Sequence, residues 1–222
     1  MEKSAIVISG YLHGLSDNIL PFLSKNIDLY VHTWKGKGND RWISKLNRYK
    51  SLVNTLRVTV EEPVYYDSIR SLFHSTYVGY QMIDKPSQYN TIIKFKPDID
   101  TDIIPYDFDV EKYYYEARLQ CRPLLDKVEY KDCIFGRILH KTLDERIFTA
   151  HPNAWKTLFS KEYDTFIRSI NSVNYELTSK HRSYEGSLLW TEYIQKSKLT
   201  LIQDTTLQLK NCKMNESYKH FD

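Results

Sequence analysis

Segments with the apolar pattern of β-strands alternate with segments of helical periodicity over the first 96 residues, and this alternation limits the possible folds more than any other feature. The strand-like runs cover residues 5–9, 28–32, 57–61 and 91–96. Between them, apolar side chains recur at the spacing of one helix face within residues 15–23, 43–53 and 69–83. This order predicts a Rossmann-like α/β fold, in which helices flank a mostly parallel central sheet with right-handed crossovers.

The second half of the chain has a less regular pattern. It predicts short strands at 132–138 and 146–150, a long amphipathic helix over 155–170, a shorter helix over 185–196 and an edge strand at 199–202. The 222 residues fit a single domain. We divide this domain, where the pattern changes, into residues 1–105 and 106–222.

Charge and cysteine content narrow the class of protein. Lys and Arg number 31 against 28 Asp and Glu, and a net charge of +3 argues against a nucleic-acid surface. Three widely spaced cysteines indicate neither a disulfide framework nor a zinc site. No apolar run has the length of a signal-peptide core or of a membrane span. We expect a cytoplasmic protein with no membrane span and no nucleic-acid partner, and we leave its oligomeric state open.

Polar and aromatic residues directly follow the predicted parallel strands. In open α/β sheets, ligands bind beyond the carboxyl ends of the strands, so these positions are the first candidates for a binding site. They are Ser9, Gly10, Tyr11 and His13 after the first strand, His32, Thr33, Trp34 and Lys35 after the second, Glu62 and Pro63 after the third, and Pro97, Asp98, Ile99, Asp100 and Asp102 after the fourth. The two aromatic rings can stack on a base or a sugar, although aromatic residues at such positions are more commonly part of the core.

The three aspartates stand at alternate positions directly after a strand that carries Lys94 and Lys96. Carboxylate oxygens are the ligands that Mg²⁺ and Mn²⁺ prefer, and such ions are often shared between one or two carboxylates and substrate phosphates. The cluster of Asp98, Asp100 and Asp102 therefore indicates a divalent metal site for a diphosphate-bearing ligand. A solvated acidic turn explains the same spacing, because aspartate is common in loops.

Several segments together resemble the nucleotide-sugar glycosyltransferases of the GT-A fold. They are the opening AIVISGYLHG, the segment LYVHTW and the segment PDID. The resemblance is closest to the small glycosyltransferase domain encoded by large chlorella viruses, and it covers roughly the first 140 residues well. It implies an enzyme that uses Mn²⁺ or Mg²⁺ to move a hexose or deoxyhexose from a nucleoside diphosphate, preferably uridine diphosphate, to a glycan hydroxyl. A viral enzyme of this kind would work in the host cytoplasm.

The same resemblance assigns roles to individual residues. Asp98 and Asp100 become the metal-binding pair, with Asp102 as a competitor for either role. The segment 9–11 would hold the nucleoside, and His13, Thr33 and Trp34 lie at neighbouring strand ends. Lys94 and Lys96 replace the arginines of the R-x-R-P-D pattern that is frequent in the relatives. Lysine lacks the planar fork of arginine and would contact a diphosphate as a point charge. Residues 1–105 then form the nucleotide-sugar half and residues 106–222 the acceptor half.

Two carboxylates in the second half are candidates for the catalytic base. Asp132, in YKDCIFGR, and Glu185, in SYEGSLL, resemble acidic residues near the acceptor in the same family. We rank Asp132 first. Asp132 is equally explained as a strand-end carboxylate, and Glu185 as a first-turn residue that a helix dipole favours. His151 is kept as a third metal ligand, although strand-end histidines such as His32 are more often structural.

Other classes of function remain open at this point. A metal-dependent nuclease or nucleotidyltransferase could use the same aspartates on a phosphodiester. A non-enzymatic nucleic-acid-binding module could use the many tyrosines and lysines, although the near-neutral charge disfavours it. A transferase-derived domain that binds a nucleotide sugar without turnover would have the same sequence features.

Overall fold

Four parallel strands form one half of the central sheet. The structure, a computed structural model, describes residues 3–12, 15, 19, 23–36, 39–64, 68–97, 130–139, 142–160, 162–169 and 182–203. The parallel strands are β1 (Ser4–Ser9), β2 (Ile27–Trp34), β3 (Thr55–Glu61) and β4 (Thr91–Phe95). β2 and β4 pair with the two sides of β1, and β3 pairs with the outer side of β2. These four strands match the four apolar runs.

Three more strands complete a seven-stranded sheet within the described residues. They are β5 (Cys133–Leu139), β6 (Thr142–Ala150) and β7 (Thr200–Gln203). The order across the sheet is β3-β2-β1-β4-β6-β5-β7. β6 runs antiparallel to both of its neighbours, whereas β7 runs parallel to β5. The predicted α/β class is confirmed, and β6 is the strand that makes the mostly parallel sheet mixed.

Helices contribute to a core on each face of the sheet. The described helices are α1 (Asn39–Tyr49), α2 (Ser68–Gln81), α3 (Pro152–Leu158), α4 (Glu162–Ser169) and α5 (Arg182–Lys196), with short 3₁₀ turns at Pro86–Gln88 and Tyr130–Asp132. Residues of α1 share a core cluster with Ile6 and Ile93. Residues of α2 to α5 share the other with Val7 and Phe148. β1, β2 and β4 lie between these two layers and are buried along their whole length, so their sequences read as continuous apolar runs rather than alternating ones.

One glycine lets α2 lie close to the sheet. A Cβ atom on Gly79 would stand 2.5 Å from Cγ1 of Val7, which is closer than real Cβ atoms approach. This contact fixes α2 against β1, and the preceding turn of the helix is thereby held over the ends of β1 and β2.

The long helix predicted over residues 155–170 is wrong, because the structure has two helices there. α3 ends at Leu158, and the amide of Tyr163 in α4 donates to the carbonyl of Ser160 in the turn between them. The change of direction lets Phe159 meet the ring of Tyr163 edge to face, with their centroids 5.1 Å apart. Aromatic packing of this kind is stabilising, and periodicity alone does not reveal the break.

Some predictions concern residues that the structure does not describe. The helix predicted between β1 and β2 is one of them, apart from its buried residues Leu15 and Ile19 and the partly buried Leu23. In the described part of the chain, no helix combines the length and apolar character needed to cross a bilayer.

Candidate functional site

The sheet has a switch point between β1 and β4, at the edge where the parallel strands end. The chain proceeds from β1 to β2 and β3 on one side, and then returns to place β4 on the other side of β1. Ligands of open α/β sheets bind in the crevice at such a point. We call the edge at which β1 to β4 end the carboxyl edge, and the edge at which they begin the amino edge.

Gly10 opens the loop at this crevice with a backbone conformation that favours glycine. Its φ angle is +115°, and its amide donates to the carbonyl of His32 at 3.2 Å. A Cβ atom on Gly10 would stand 4.0 Å from Cδ of Pro97. Only glycine adopts this φ without strain. The turn after β1 therefore meets the residue that directly precedes the acidic cluster.

The other residues predicted at the end of β1 fall into two groups. Ser9 is buried and its hydroxyl bonds that of Thr76 in α2 at 2.9 Å. Tyr11 is 45% exposed, and its ring reaches Gly36, where a Cβ atom would lie 3.4 Å from Cε1 of Tyr11. Tyr11 thus has an exposed ring beside the crevice, whereas the buried Ser9 connects the end of β1 to α2.

Thr33 and Trp34 lie inside the protein. Both are almost fully buried at the end of β2. The ring of Trp34 stacks on His74 of α2, with centroids 5.7 Å apart and an interplanar angle of 19°. The structure therefore buries both residues, and neither exposes its side chain to a ligand.

The two lysines near the end of β4 differ in their surroundings. Lys94 is fully buried, opposite Val7 of β1 and Phe148 of β6 in the strand registers. Lys96 directly follows β4 and is partly buried beside Pro97. Lys96 is therefore the lysine nearer to the surface of the crevice.

The predicted metal ligands Asp98, Asp100 and Asp102, like His13, lie outside the described residues. Among the residues that are described, no group of three His, Cys, Asp or Glu side chains could hold a metal ion. The donor set still fits a hard cation, because the segment supplies carboxylates that begin one residue after Pro97. The metal site stays a prediction.

Asp132 and His151 lie at the amino edge, far from the crevice. Ala150 at the end of β6 pairs with Ile92 near the start of β4 and with Ile134 near the start of β5. Since each strand residue advances about 3.3 Å, the separation from the carboxyl edge is on the order of 15 Å. The structure therefore does not bring either residue together with the Gly10 turn.

His151 has a structural role in this position. Its Nδ1 atom accepts the amide of Asn153 at 3.2 Å and caps α3. Burial lowers the pKa of His151, the charge of Asp132 acts in the opposite direction, and that of Lys131 adds to the lowering. A neutral ring that accepts a backbone hydrogen bond agrees with capping.

Glu185 lies in the first turn of α5, and this turn is at the carboxyl-edge end of the helix. The helix ends at Lys196, four residues before Thr200, which pairs with Cys133 at the amino edge. Near its middle, the Thr191 hydroxyl accepts the amide of Leu143, at the opposite end of β6. α5 thus runs from the carboxyl edge to the amino edge, and of the two candidate bases only Glu185 is on the side of the crevice.

A polar cluster for which the sequence has no local pattern lies under α2 at the carboxyl edge. Nδ1 of buried His32 is 2.7 Å from the Ser75 hydroxyl, and its Nε2 is 3.3 Å from Oε2 of Glu61. The same Glu61 oxygen is 3.5 Å from Nε2 of His74. The carboxylate, the imidazole and the hydroxyl contact one another in the same spatial order as in the catalytic triad of a hydrolase. Ser75, however, is fully buried and cannot reach a substrate.

The comparisons with known proteins identify the fold. No protein-family model and no curated protein matches this sequence. The glycosyltransferase GlyE of Streptococcus pneumoniae TIGR4 aligns with a TM-score of 0.52 at 6% identity over 91% of this chain and 45% of its own. Its apo form gives 0.52 at 8% identity over 92% and 46%. The chain thus shares the fold of part of GlyE and spans less than half the length of that protein. The narrower likeness to a viral domain stays a prediction.

Proposed function

We propose that this protein is a metal-dependent glycosyltransferase that moves a sugar from a nucleoside diphosphate, preferably uridine diphosphate, to a glycan hydroxyl. The observation that carries the proposal is the meeting of the Gly10 turn with Pro97 at the switch point. This contact joins the loop that would hold the nucleoside to the start of the Asp98–Asp102 segment. A glycosyltransferase fold supports the same function.

The donor would lie along the carboxyl edge. The exposed ring of Tyr11 is available to stack on the base, and the buried Ser9 and Trp34 keep the pocket in shape. Lys96 would contact the diphosphate as a point charge. Asp98 and Asp100 would hold Mn²⁺ or Mg²⁺, which supplies positive charge where the diphosphate leaves.

Calorimetry tests the proposed donor site. We expect uridine diphosphate to bind about tenfold or more tightly with Mn²⁺ than without it, because Asp98 and Asp100 would hold the ion and the ion would supply positive charge to the diphosphate. Guanosine and adenosine diphosphate in the same buffers serve as controls for the base. Equal binding with and without Mn²⁺ would refute the metal site, and cleavage of an oligonucleotide without turnover of any nucleotide sugar would favour the nuclease alternative.

The positions of the two candidate bases lead to a prediction about the acceptor side. We expect Glu185→Gln to lower kcat by about 10²-fold, the usual effect of losing a general base. Asp132→Asn is the matched control, and we expect nearly unchanged kcat because Asp132 lies at the amino edge. The measurement is the initial rate of sugar transfer at saturating donor. A large loss of kcat in Asp132→Asn, with nearly unchanged kcat in Glu185→Gln, would instead support Asp132 as the base.

A further inference from the structure

His32 joins three elements at the carboxyl edge. Its carbonyl accepts the amide of Gly10 at 3.2 Å, and its ring contacts Ser75 of α2 and Glu61 of β3. The side chain is fully buried. The ring that contacts α2 and β3 and the carbonyl that accepts the Gly10 amide thus belong to the same residue.

The contacts favour one neutral form of the ring. The Ser75 hydroxyl has one proton, and Nδ1 of His32 at 2.7 Å is a better acceptor for it than the His32 carbonyl at 3.4 Å. Nε2, which lies 3.3 Å from Oε2 of Glu61, then carries the ring proton. Within the described residues that proton makes no well-formed hydrogen bond, so the 3.3 Å contact is mainly electrostatic.

The groups that face the ring come from each neighbouring element. β3 contributes Glu61, and α2 contributes His74 and Ser75. Trp34 of β2 meets the His32 ring edge to face at 4.8 Å between centroids. The buried ring thus faces one negative neighbour and one titratable neighbour among the described residues.

We propose that neutral His32 is a positioning residue, which holds the Gly10 turn in the shape that receives the donor nucleoside. This inference rests on the proposed function. His32 does not touch the donor in this arrangement. It acts through its carbonyl and through the two ring contacts that keep β2, β3 and α2 in place.

Acid should weaken the contacts of the His32 ring and thereby loosen the Gly10 turn. Burial lowers the pKa of His32, Glu61 opposes this effect, and His74 adds to it. A group with a lowered pKa in the folded protein contributes stability above its ordinary pKa, and this contribution is lost as the pH falls through the lowered value. The ordinary value for histidine is 6.5. Protonation then favours states in which the ring has left its site and the Gly10 turn is loose.

The test is a titration of the protein with uridine diphosphate glucose in Mn²⁺ at two pH values. Between about pH 7.5 and about pH 5.5, we expect the affinity of the unsubstituted protein to fall by about threefold or more. His32→Gln should bind weakly at both values, with no further loss in acid. Ser75→Ala, which removes only the Nδ1 partner, should weaken binding at pH near 7.5 and is less disruptive to the core.

His74→Gln is the matched control, because His74 contacts the same Glu61 oxygen, whereas the amide of Gly10 bonds to the carbonyl of His32. Its affinity for the nucleotide sugar should fall in acid as much as that of the unsubstituted protein. The proposal would be overturned if the affinity of His32→Gln still fell in acid, or if the affinity of His74→Gln no longer did.

Hydrogen exchange at the Gly10 amide separates this inference from the proposed function, because it needs no nucleotide. After correction for intrinsic exchange, protection of this amide should fall in acid in the unsubstituted protein and be low at both pH values in His32→Gln. Protection that does not depend on pH or on His32 would overturn the positioning role. Failure of every nucleotide sugar to bind, with the exchange result as expected, would instead remove the proposed donor site and, with it, the nucleoside part of the inference.

Discussion

The Asp98→Asn/Asp100→Asn double variant is expected to transfer sugar about 10³-fold more slowly, or worse, than the unsubstituted protein at saturating Mn²⁺. The two carboxylates are the proposed ligands, and a neutral amide holds a divalent ion much less well. Without the ion, the negative charge that would develop on the departing diphosphate would lose the positive charge proposed to stabilise it. The measurement is kcat/KM from release of uridine diphosphate, together with Mn²⁺ affinity by calorimetry.

Asp107→Asn is the matched control for this double variant. It removes a carboxylate from the same acidic stretch but lies outside the D-x-D pair. We expect it to keep its Mn²⁺ affinity and its rate, whereas Asp102→Asn tests whether the third aspartate shares the ion. If the double variant transferred sugar at the normal rate, the acidic cluster would be a solvated turn and the metal would have to be held elsewhere.

The parallel half of the fold could be predicted from the sequence because β1, β2 and β4 are buried along their whole length, whereas the half-buried β3 shows the alternation of an edge strand. Ser4–Ser9 and Thr91–Phe95 are buried along their whole length, so each reads as an apolar run. The second half could not be predicted as well. Its strand order depends on β6 entering between β4 and β5, and this pairing joins residues such as Ile92 and Ala150 that are distant in the chain.

The same difference explains which of the site residues could be placed from the sequence. The ends of parallel strands lie at one edge, so the strand pattern predicts that Gly10 and Pro97 lie at the same edge of the sheet. Their contact follows from the pairing of β1 with β4, which the structure shows. Asp132 could not be placed, because its edge depends on the direction of β5 relative to β4. The contacts of His32 with Glu61 and Ser75 depend on the register of β2 and β3 and on the position of α2, which no short sequence motif encodes.

Asp28→Asn is expected to lower the free energy of unfolding by about 3–5 kcal/mol, the usual effect of removing the charge of one partner from a buried charged network. The Asp28 carboxylate is buried at the amino edge, where it pairs with Lys3 at 2.6 Å and accepts hydrogen bonds from Asn54 and Tyr89. Lys3 and Asn54 directly precede β1 and β3, and Tyr89 stands just before β4. One side chain in β2 therefore ties together the beginnings of all four parallel strands.

Urea unfolding at a series of pH values measures this contribution. Burial by itself would raise the pKa of Asp28, but hydrogen bonds from Lys3, Tyr89 and Asn54 outweigh it, and the pKa is lowered from 3.8. A lowered carboxyl pKa contributes stability above the ordinary value, and this stability is lost as the pH falls through the lowered one. The difference between the unsubstituted protein and Asp28→Asn should therefore be large near neutral pH and shrink below pH 3.8.

Asp84→Asn controls for charge alone, because the exposed Asp84 pairs with Arg57 at 2.7 Å on the surface. Its urea midpoint should stay close to that of the unsubstituted protein, since exposed ion pairs contribute little. An equal loss of stability in the two variants would mean that net charge matters and the buried network does not. If Asp28→Asn loses stability but binds uridine diphosphate normally, the amino edge stabilises the fold, whereas nucleotide binding depends on the carboxyl edge.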